Sequence, residues 1–454
     1  MAEGVNEGKR PGGRGEKIVT VAAILLIALA LSANELVLGA LTCPDGWFEK
    51  DDRIRIAVFQ GLLLGAGAAL FFFRKKRITV NLLLAATVVF VCLAAGEGAV
   101  RLFAPQIGGR SQQEVFFEYH PVLGWRFIPG KTDTLVSKHE YENRITINRE
   151  GLRDRDYPLK KAPGTRRILF LGDSFTAGLG VKDAEVFTEI LEEALGPRFE
   201  VINAGVNGYG PTQEYLFLKT RLIHYRPDLV IMVFYIGNDF DDTTNLTRWI
   251  DGYERPRAII DNKGALTFTN LPVPRTSRPR GERKKICSLP RSHLVDLLDR
   301  VIHERRDRYA LDVMPPEIRL CRFGDPSVTE ALPLLEAILR ETDRLCRQNG
   351  GRFALVLAPT MTQVYDSVYW EKIKKVYGLK EDQYDLFLPN RIVFASATRL
   401  GIPVLDLTDA LRAEAADGRD LYYYKNRHWN PAGHRAVARV LRAWIEEKKM
   451  LTEP

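Results

Sequence analysis

The stretch Arg167-Ile-Leu-Phe-Leu-Gly-Asp-Ser-Phe-Thr-Ala-Gly178 decides the fold of this chain. Its apolar start is typical of a buried β-strand, and Gly172 permits a tight turn directly after that strand. Open parallel sheets bind ligands beyond the carboxyl ends of their strands. The sequence therefore predicts that the hydroxyl of Ser174 is displayed in a crevice at the edge of a sheet.

The sequence after this stretch predicts further strands of the same sheet. Short apolar runs alternate with amphipathic stretches, which is the signature of parallel strands joined by helices. The predicted strands cover residues 167–171, 199–203, 229–234, 353–358 and 404–406, and the last helix begins near Pro431. This pattern predicts an α/β domain with a mostly parallel sheet.

Residues 1–103 contain most of the apolar excess of the chain. Three nearly charge-free stretches, 18–42, 56–73 and 78–95, are long enough as helices to cross a hydrocarbon layer of ~30 Å. Lys and Arg in short loops resist translocation, and they precede the first stretch and separate the second from the third. Three spans that begin inside end outside, so the chain after about Phe103 is expected in the periplasm or outside the cell. The predicted localisation is a multi-pass protein of the cell membrane, with the lipid bilayer as a partner.

A second interpretation of the N-terminus stays open. The first apolar stretch can also be a cleaved signal peptide, with Cys43 as a lipidation site. The residues Ala-Leu-Thr before Cys43 fit lipoprotein processing poorly, so three spans are the preferred interpretation.

The composition argues against a polynucleotide partner. The net charge of +8 arises from 65 basic residues against 57 acidic residues, and no zinc-finger, RNA-recognition or basic-zipper pattern is present. No CxxC pair and no HExxH motif occurs, so neither a structural nor a catalytic zinc site is predicted. We therefore expect no nucleic-acid partner, no metal and no cofactor.

The five cysteines are too few for a disulfide scaffold. In an oxidising compartment, a bond between Cys287 and Cys321 would tie down the segment between them. Buried free thiols are the other interpretation for these two residues and for Cys346. The sequence leaves both interpretations open.

We predict three parts in the chain: a membrane region with three transmembrane helices over 1–103, a connecting subdomain over 104–165 and the α/β domain over 166–448. The α/β domain contains an insertion at about 245–327, which is far longer than the few residues that such connections normally need. The basic, proline-interrupted part of the insertion is either a solvated flexible face, or a lid or surface for an acidic polymer or anionic lipid headgroups.

Four short segments follow the ends of predicted strands in chain order. They are Leu171-Gly-Asp-Ser-Phe-Thr176, Asn203-Ala-Gly-Val-Asn-Gly-Tyr-Gly210, Tyr235-Ile-Gly-Asn-Asp239 and Asn426-Arg-His-Trp-Asn-Pro-Ala-Gly-His434. In this order they resemble the four sequence blocks of the SGNH, or GDSL-like, hydrolase superfamily, over roughly residues 165–445. Residues 118–155 are also similar to membrane-tethered members. The resemblance implies an α/β fold of the flavodoxin-like three-layer sandwich type, here preceded by an α-helical transmembrane region.

The resemblance assigns a role to one residue of each block. Ser174 takes the position of the nucleophile and His428 that of its base, because a serine hydroxyl is a poor nucleophile until an imidazole accepts its proton. The backbone N–H of Gly208 and the side-chain amide of Asn238 take the positions of oxyanion donors. Without the resemblance, Gly208 fits a turn glycine, Asn238 fits a helix cap and His434 fits a structural residue.

One departure from the family pattern concerns the acid of the triad. Family members place an aspartate two or three residues before the histidine, whereas this chain has Lys425 and Asn426 there. We therefore expect a dyad in which His428 is oriented by a neutral group or by a distant carboxylate such as Asp406 or Asp420. Loss of the acid from a triad lowers activity by about ten-thousandfold and leaves residual catalysis.

The resemblance implies acyl transfer through an acyl-Ser174 intermediate, acting on an ester of the cell envelope. The ending His-Trp-Asn-Pro is similar to members that handle acetyl groups on exopolysaccharides and peptidoglycan, so the expected substrate is an acylated glycan or a small ester. Water as the acceptor makes the protein an esterase, and a sugar hydroxyl makes it an O-acetyltransferase. Envelope polysaccharide assembly proteins are the expected protein partners.

Two other interpretations stay open. The missing acid also fits a non-catalytic glycan-binding or assembly component with a degraded SGNH site. The three spans also fit a small membrane module whose outer domain is an accessory, although the spans contain few polar groups and show no transport route.

Overall fold

The computed structural model describes two compact units of the chain. The described residues are 13–32, 46–48, 50–74, 77–103, 115–137, 140–244, 253–275, 285–287, 292–295, 297–298 and 314–451. One unit consists of Met1–Gly108 and Ser277–Glu304, and the other of Gly109–Thr276 and Arg305–Pro454. The first unit holds the N-terminal helices and the second holds the sheet.

The N-terminal unit contains three long helices, which are α1 Gly13–Ser32, α2 Lys50–Phe73 and α3 Arg77–Phe103. The stretches Arg53–Phe73 in α2 and Ala85–Phe103 in α3 are long and apolar enough to cross a membrane. Their apolar side chains are largely exposed, as Leu62, Phe72 and Phe90 show. A lipid environment would remove the unfavourable contact of these side chains with water.

The second and third predicted spans lie within α2 and α3. Of the first predicted span, residues 18–32 belong to α1, while residues 33–42 lie outside the described residues, as does Cys43. The described part of the chain thus holds two candidate spans. The three-span arrangement and its orientation stay predictions.

Part of the insertion belongs to the N-terminal unit. The strand Lys285–Cys287 pairs in parallel with Gly46–Phe48. The Glu97 carboxylate in α3 accepts hydrogen bonds from the hydroxyl of Ser292 and from the backbone N–H groups of the next two residues. We also predict from the sequence a helix at 295–309 within the insertion, and most of these residues lie outside the described part of the chain.

The second unit alternates strands and helices along the chain. Its strands are β1 Phe117–His120, β2 Gly124–Phe127, β3 Thr132–Ser137, β4 Tyr141–Thr146, β5 Arg166–Leu171, β6 Phe199–Asn203, β7 Leu229–Tyr235, β8 Arg257–Ile260, β9 Leu266–Thr269, β10 Arg352–Ala358 and β11 Val404–Asp406. Its α-helices are α4 Phe187–Leu195, α5 Pro211–Thr220, α6 Asp239–Thr244, α7 Pro326–Gln348, α8 Met361–Val364, α9 Asp366–Tyr377, α10 Leu388–Arg399, α11 Thr408–Ala416 and α12 Pro431–Glu447.

Five of these strands form a parallel sheet in the order β11-β10-β7-β5-β6. Read from the other edge, this is the strand order of flavodoxin-like sheets. All five strands predicted from the sequence are present, and the predicted α/β fold class is confirmed. Because the strands are parallel, their carboxyl ends meet at one edge of the sheet, where the turn with Ser174 follows β5.

Alternate side chains of the strands face two separate hydrophobic cores. In β5, Leu169 and Leu171 lie in one core, while Ile168 and Phe170 lie in the other. Helices α5, α7 and α10 contribute to the first core, and α4, α11 and α12 contribute to the second. A helical layer on each face explains why the strands appear in the sequence as continuous apolar runs.

Two antiparallel hairpins, β1–β2 and β3–β4, precede the sheet. Phe117, Trp125 and Ile145 from these hairpins are buried in the same core as Leu169 of the sheet. In its described part, the predicted connecting subdomain over 104–165 therefore shares a core with the α/β domain. The aromatic residues of these hairpins have no regular spacing, so the sequence does not indicate which surface of the domain they pack against.

Cys321 and Cys346 are buried free thiols, which is one of the two interpretations that the sequence left open. Burial raises the pKa of Cys346 to about 12, and burial also raises the pKa of Cys321. Both residues therefore behave as small apolar side chains of the core. Cys287 lies in the short strand of the N-terminal unit.

A buried arginine stabilises the amino end of the sheet. Arg167 in β5 is fully buried, and its guanidinium pairs with the Glu200 carboxylate of β6 at 2.6 Å. The same guanidinium donates hydrogen bonds to the backbone carbonyl oxygens of Pro158, Leu159 and Tyr225. Removal of the guanidinium would leave a carboxylate and three carbonyl groups without their partner.

We expect Arg167→Met to lower the free energy of unfolding by about 3–5 kcal/mol, because it breaks a buried ion pair. Arg442→Met is the matched control, since Arg442 is exposed and pairs with Glu446 one helical turn away; its expected effect is about 0–1 kcal/mol. Urea unfolding of the full chain in detergent, followed by tryptophan fluorescence, measures both variants. Equal stability of the two would contradict this account of Arg167.

Candidate active site

The turn after β5 places Ser174 at the edge of the sheet. Glycine is required at Gly172, because a Cβ atom there would overlap the hydroxyl oxygen of Thr176. The Asp173 carboxylate accepts a hydrogen bond from the backbone N–H of Phe175 at 2.8 Å. These contacts hold the backbone on both sides of the serine.

A buried arginine supports the loop that follows Ser174. The Arg153 side chain is 3% exposed and pairs with the Asp183 carboxylate at 3.0 Å. It also donates hydrogen bonds to the backbone carbonyl oxygens of Ala177 at 2.9 Å and Val181 at 2.6 Å. The Arg153 guanidinium thereby provides hydrogen-bond donors for backbone carbonyl groups in the irregular segment between Ser174 and α4.

The ring of His428 lies next to Ser174. His428 precedes α12, and its Nε2 atom is 2.7 Å from the Ser174 Oγ atom. Its Nδ1 atom is 3.0 Å from the backbone carbonyl oxygen of Asn426. The ring also stacks on Phe175, with 4.6 Å between the ring centroids. Two residues that lie 254 positions apart in the sequence thus share a hydrogen bond.

The contact with Asn426 determines the tautomer of His428. A carbonyl oxygen only accepts hydrogen bonds, so Nδ1 carries the proton and Nε2 accepts one from Ser174. Burial lowers the pKa of His428 to about 4, because the charged ring would lose its hydration. The ring is therefore neutral at neutral pH. This arrangement can remove the hydroxyl proton as the serine attacks a carbonyl group.

Within the described residues, the ring of His428 bonds to no carboxylate. The Asp406 carboxylate accepts hydrogen bonds from the Asn390 side chain at 3.0 Å and from the backbone N–H of Thr408 at 2.9 Å. Asp420 offers its backbone carbonyl to the Asn430 side chain. The group that orients the histidine is the neutral main-chain carbonyl of residue 426.

Gly208 and Asn238 line the same cleft as Ser174. Gly208 follows β6 and has a φ of +77°, a left-handed conformation that favours glycine. Asn238 follows β7, and its side-chain nitrogen is 3.4 Å from the Asp173 carboxylate. The side-chain oxygen of Asn238 has no hydrogen-bond partner in the described part of the chain. Asn238 therefore does not cap α6 with its side chain.

One cleft of about 520 Å³ brings together the four site residues predicted from the sequence. It is lined by Ser174, Gly208, Asn238 and His428, and further by Phe117, Leu179, Tyr235, Met314, Glu317 and Arg427. The roles of the first four stay predictions. The second group comes from the first hairpin, the end of β7, the insertion and the loops. Tyr235 and Arg427 belong to two of the four sequence segments, whereas no motif marks the others.

Buried carboxylates lie close to this cleft. Burial raises the pKa of Asp173 to about 7, and repulsion from the Asp242 carboxylate adds to the effect. Burial also raises the pKa of Glu214 and Asp239 well above the usual range. Both Glu214 side-chain oxygens lack a hydrogen-bond partner among the described residues. The described residues contain no group of three or more His, Cys, Asp or Glu side chains placed to hold a metal ion.

Arg255, from the insertion, is a buried cation of this region. Its guanidinium pairs with the Asp242 carboxylate at 2.7 Å and lies over the Trp125 ring at 5.3 Å. A second guanidinium nitrogen is 3.4 Å from the Gly208 carbonyl oxygen. The insertion thus contacts the loop that carries Gly208, one of the predicted oxyanion donors.

His434 has a structural environment. It lies in α12 and is 1% exposed, and its Nδ1 atom accepts a hydrogen bond from the backbone N–H of Phe187 at 3.2 Å. The two rings are stacked, with an interplanar angle of 10°. His434 therefore links α12 to the start of α4.

Residues 328–454 match the model of one protein family, described as ALGX: SGNH hydrolase-like domain, acetyltransferase AlgX. The matched residues include His428, whereas Ser174 lies before them. No curated protein matches the chain.

Several solved structures are similar to the chain at low sequence identity. The acetyl xylan esterase AlAXEase is 14% identical, with 61% of this chain and 98% of that chain covered and a TM-score of 0.33. A two-domain esterase active on acetylated mannans is 15% identical, with 64% and 51% covered and a TM-score of 0.33. A lipolytic protein of the G-D-S-L family from Veillonella parvula DSM 2008 is 14% identical, with 62% and 97% covered and a TM-score of 0.30. The family match over residues 328–454 confirms the resemblance that the four sequence segments indicate, and the strand order agrees with it.

Proposed function

We propose that this chain is a serine-dependent acyl ester hydrolase or O-acetyltransferase, with Ser174 as the nucleophile and His428 as its base. The observation that carries the proposal is the distance of 2.7 Å between Ser174 Oγ and His428 Nε2, with the ring proton held on Nδ1 by a carbonyl oxygen. This geometry makes the ring an acceptor directed at the serine hydroxyl, as general-base activation requires.

In the first half of the reaction, Ser174 Oγ bonds to the carbonyl carbon of the ester while His428 Nε2 takes the hydroxyl proton. The former carbonyl oxygen becomes negatively charged, and the backbone N–H groups of Ser174 and Gly208 and the amide of Asn238 donate to it. The bond to the alcohol then breaks, and His428 returns its proton to the leaving oxygen. An acyl-Ser174 ester remains.

In the second half, an acceptor hydroxyl attacks the acyl-Ser174 ester. His428 takes the proton of the acceptor and passes it to Ser174 Oγ as the ester bond breaks. Water as the acceptor releases a free acid, and a sugar hydroxyl yields a new ester. The chemistry of the protein residues is the same in both cases, so the proposal covers hydrolysis and transfer.

An acylated glycan is the proposed substrate class. Phe117, Leu179 and Met314 give the cleft apolar walls, which suit a small acyl group, while Glu317 and Arg427 offer polar groups at the same cleft. Ligand sites commonly combine apolar walls with a few placed polar groups. The description of the matching family as an acetyltransferase favours an acetyl group.

We place the proposed activity at the cell membrane, with the catalytic domain on the periplasmic or extracellular side. Two candidate spans in α2 and α3 support a membrane anchor, and the basic residues beside the apolar stretches support this orientation. An envelope location brings acylated glycans and envelope polysaccharide assembly proteins within reach.

A non-catalytic glycan-binding component is the alternative. The neutral Asn426 and the cationic Lys425 at the positions of the triad acid motivate it. A binding protein has no need for a serine and an imidazole within hydrogen-bond distance. The 2.7 Å contact therefore favours the enzyme.

We expect Ser174→Ala and His428→Ala each to lower kcat/KM for a chromogenic acetyl ester by at least about a thousandfold, because each removes one partner of the proton transfer. The controls are Ser367→Ala and His224→Ala, whose side chains are exposed, and they should behave as the wild type. The full chain is assayed in detergent. Equal turnover by the wild type and both site variants would remove the catalytic proposal, and glycan binding without turnover by the wild type would favour the alternative.

Asn238→Ala should lower kcat by about 100- to 1000-fold and change KM little, because an oxyanion donor acts mainly in the transition state. Asn262→Ala is the matched control, since Asn262 is exposed in the β8–β9 loop. Steady-state kinetics with the same ester measure both variants. An Asn238→Ala protein with wild-type kcat would show that its amide does not contact the oxyanion.

The low pKa of His428 predicts an unusual acid tolerance. Only the neutral ring can accept the serine proton, and its pKa of about 4 lies below the ordinary value of about 6.5. The value of kcat/KM should therefore persist as the pH falls through about 6.5 and decline only near the lower pKa. Acetate release across this pH range measures the profile, and circular dichroism over the same range excludes acid unfolding. A decline centred near the ordinary value would contradict a buried, neutral base.

A further inference from the structure

The turn that carries His428 has a strained backbone conformation that other contacts must stabilise. The backbone N–H of Tyr423 donates to the His428 carbonyl at 2.8 Å, and the N–H of Arg427 donates to the Tyr423 carbonyl at 2.9 Å. Arg427 has a φ of +62°, a left-handed conformation that costs a residue with a Cβ atom about 1–3 kcal/mol. Contacts from outside the turn must therefore offset this strain.

The Glu140 carboxylate, between β3 and β4, supplies such contacts. It accepts hydrogen bonds from the backbone N–H of Lys425 at 2.6 Å and of Asn426 at 2.9 Å. Beside it, the Asn426 side chain donates to the Tyr141 hydroxyl at 3.3 Å, and the rings of Tyr141 and Tyr423 lie 5.2 Å apart. The second hairpin thus holds the turn by one carboxylate and by one aromatic contact.

Lys425 and Asn426 occupy the positions at which family members carry the triad aspartate. Neither side chain is negative, yet the backbone N–H groups of both residues bind a carboxylate from another part of the chain. Hydrogen bonds to an ionised carboxylate are about twice as strong as neutral ones. Burial raises the pKa of Glu140, while the bonds from Lys425 and Asn426 favour its charged form. The missing acid is therefore replaced on this turn by an anion that does not touch the ring.

We propose that Glu140 is a positioning residue that performs, through the backbone, the orienting role of the missing triad aspartate. By binding the N–H groups of Lys425 and Asn426, it keeps the Asn426 carbonyl against Nδ1 of His428, and hence Nε2 against Ser174. Glu140 is not among the residues that line the cleft, so it acts through the turn and not on the substrate. The inference rests on the proposed function, since the position of a base matters only if the serine reacts.

Glu140→Gln should lower kcat for the chromogenic acetyl ester by about 10- to 100-fold, because glutamine lacks the charge and a base displaced by about 1 Å loses up to a hundredfold in rate. KM should stay within about twofold, because the substitution replaces no residue that lines the cleft. Labelling of Ser174 by a fluorophosphonate probe should slow by the same factor as kcat. Glu142→Gln, which changes an exposed residue of the same hairpin, should retain wild-type kinetics.

A double variant separates positioning from a loss of structure. Glu140→Gln combined with Lys425→Asp returns a carboxylate to the sequence position that the family uses. We expect it to regain at least about tenfold of kcat relative to Glu140→Gln alone. The thermal unfolding midpoint is recorded for every variant, because Lys425→Asp does not restore the contact between hairpin and turn. Recovery of kcat without recovery of the midpoint supports the positioning role.

Three results would overturn the inference, and they are distinguishable. A wild-type protein with neither turnover nor probe labelling would overturn the proposed function and this inference with it. An active wild type, with Glu140→Gln at a kcat within about twofold, would overturn the inference alone. A slow Glu140→Gln protein that Lys425→Asp does not rescue would also overturn it, because Glu140 would then serve the fold and not the ring.

Discussion

A serine hydroxyl and an imidazole that lie 254 positions apart meet at 2.7 Å in this chain, and the parallel direction of the strands in the central sheet makes this possible. Each parallel strand is connected to the next through a helix that returns the chain to the opposite edge of the sheet. All five strands therefore end at the same edge. The loops after β5, β6 and β7 and the loop before α12 therefore converge there. The burial that makes the sheet rigid also removes water from the histidine ring, which keeps that ring neutral. The packing of the sheet thus accounts both for the position of the candidate site and for the neutral state of the His428 ring.

The central sheet could be predicted from the sequence, because strands covered on both faces must be apolar along their whole length. Residues 168–171 and 353–358 are such runs. The hairpins before the sheet could not be assigned to its core, because their packing depends on long-range contacts: the indole N–H of Trp125, for example, donates to the carbonyl oxygen of Asn207, 82 residues later. The insertion is another case, since Arg255 sits against Asp242 while a later part pairs with the N-terminal unit. Neither contact is indicated by the sequence around the residues that form it.

The candidate site also contains some residues that could be predicted from the sequence and others that could not. Ser174, Gly208, Asn238 and His428 could be predicted because each directly follows a strand or precedes a helix within a short segment whose turn chemistry is local. The groups that hold them could not. Arg153 supports the serine loop, Arg255 contacts the Gly208 loop and Glu140 binds the histidine turn. Arg255 comes from the insertion, which has no recognisable motif, and the resemblance of residues 118–155 assigns no role to Arg153 or Glu140. The sequence beside His428 does not show an acid in the expected position. The carboxylate that binds this turn belongs to Glu140, which lies in the second hairpin.

The course of the backbone between the two compact units has a consequence for release from the membrane. The polypeptide passes from one unit to the other three times, near residues 108, 276 and 304. A single proteolytic cut at the first passage would leave Met1–Gly108 attached to the rest of the chain only by noncovalent contacts with Ser277–Glu304, so release of the sheet-bearing unit would also require Lys285–Cys287 to separate from Gly46–Phe48. A truncation that removes only Met1–Gly108 would deprive Lys285–Cys287 of its strand partner and Ser292 of the Glu97 carboxylate. The N-terminal unit is thus built from two separate parts of the chain.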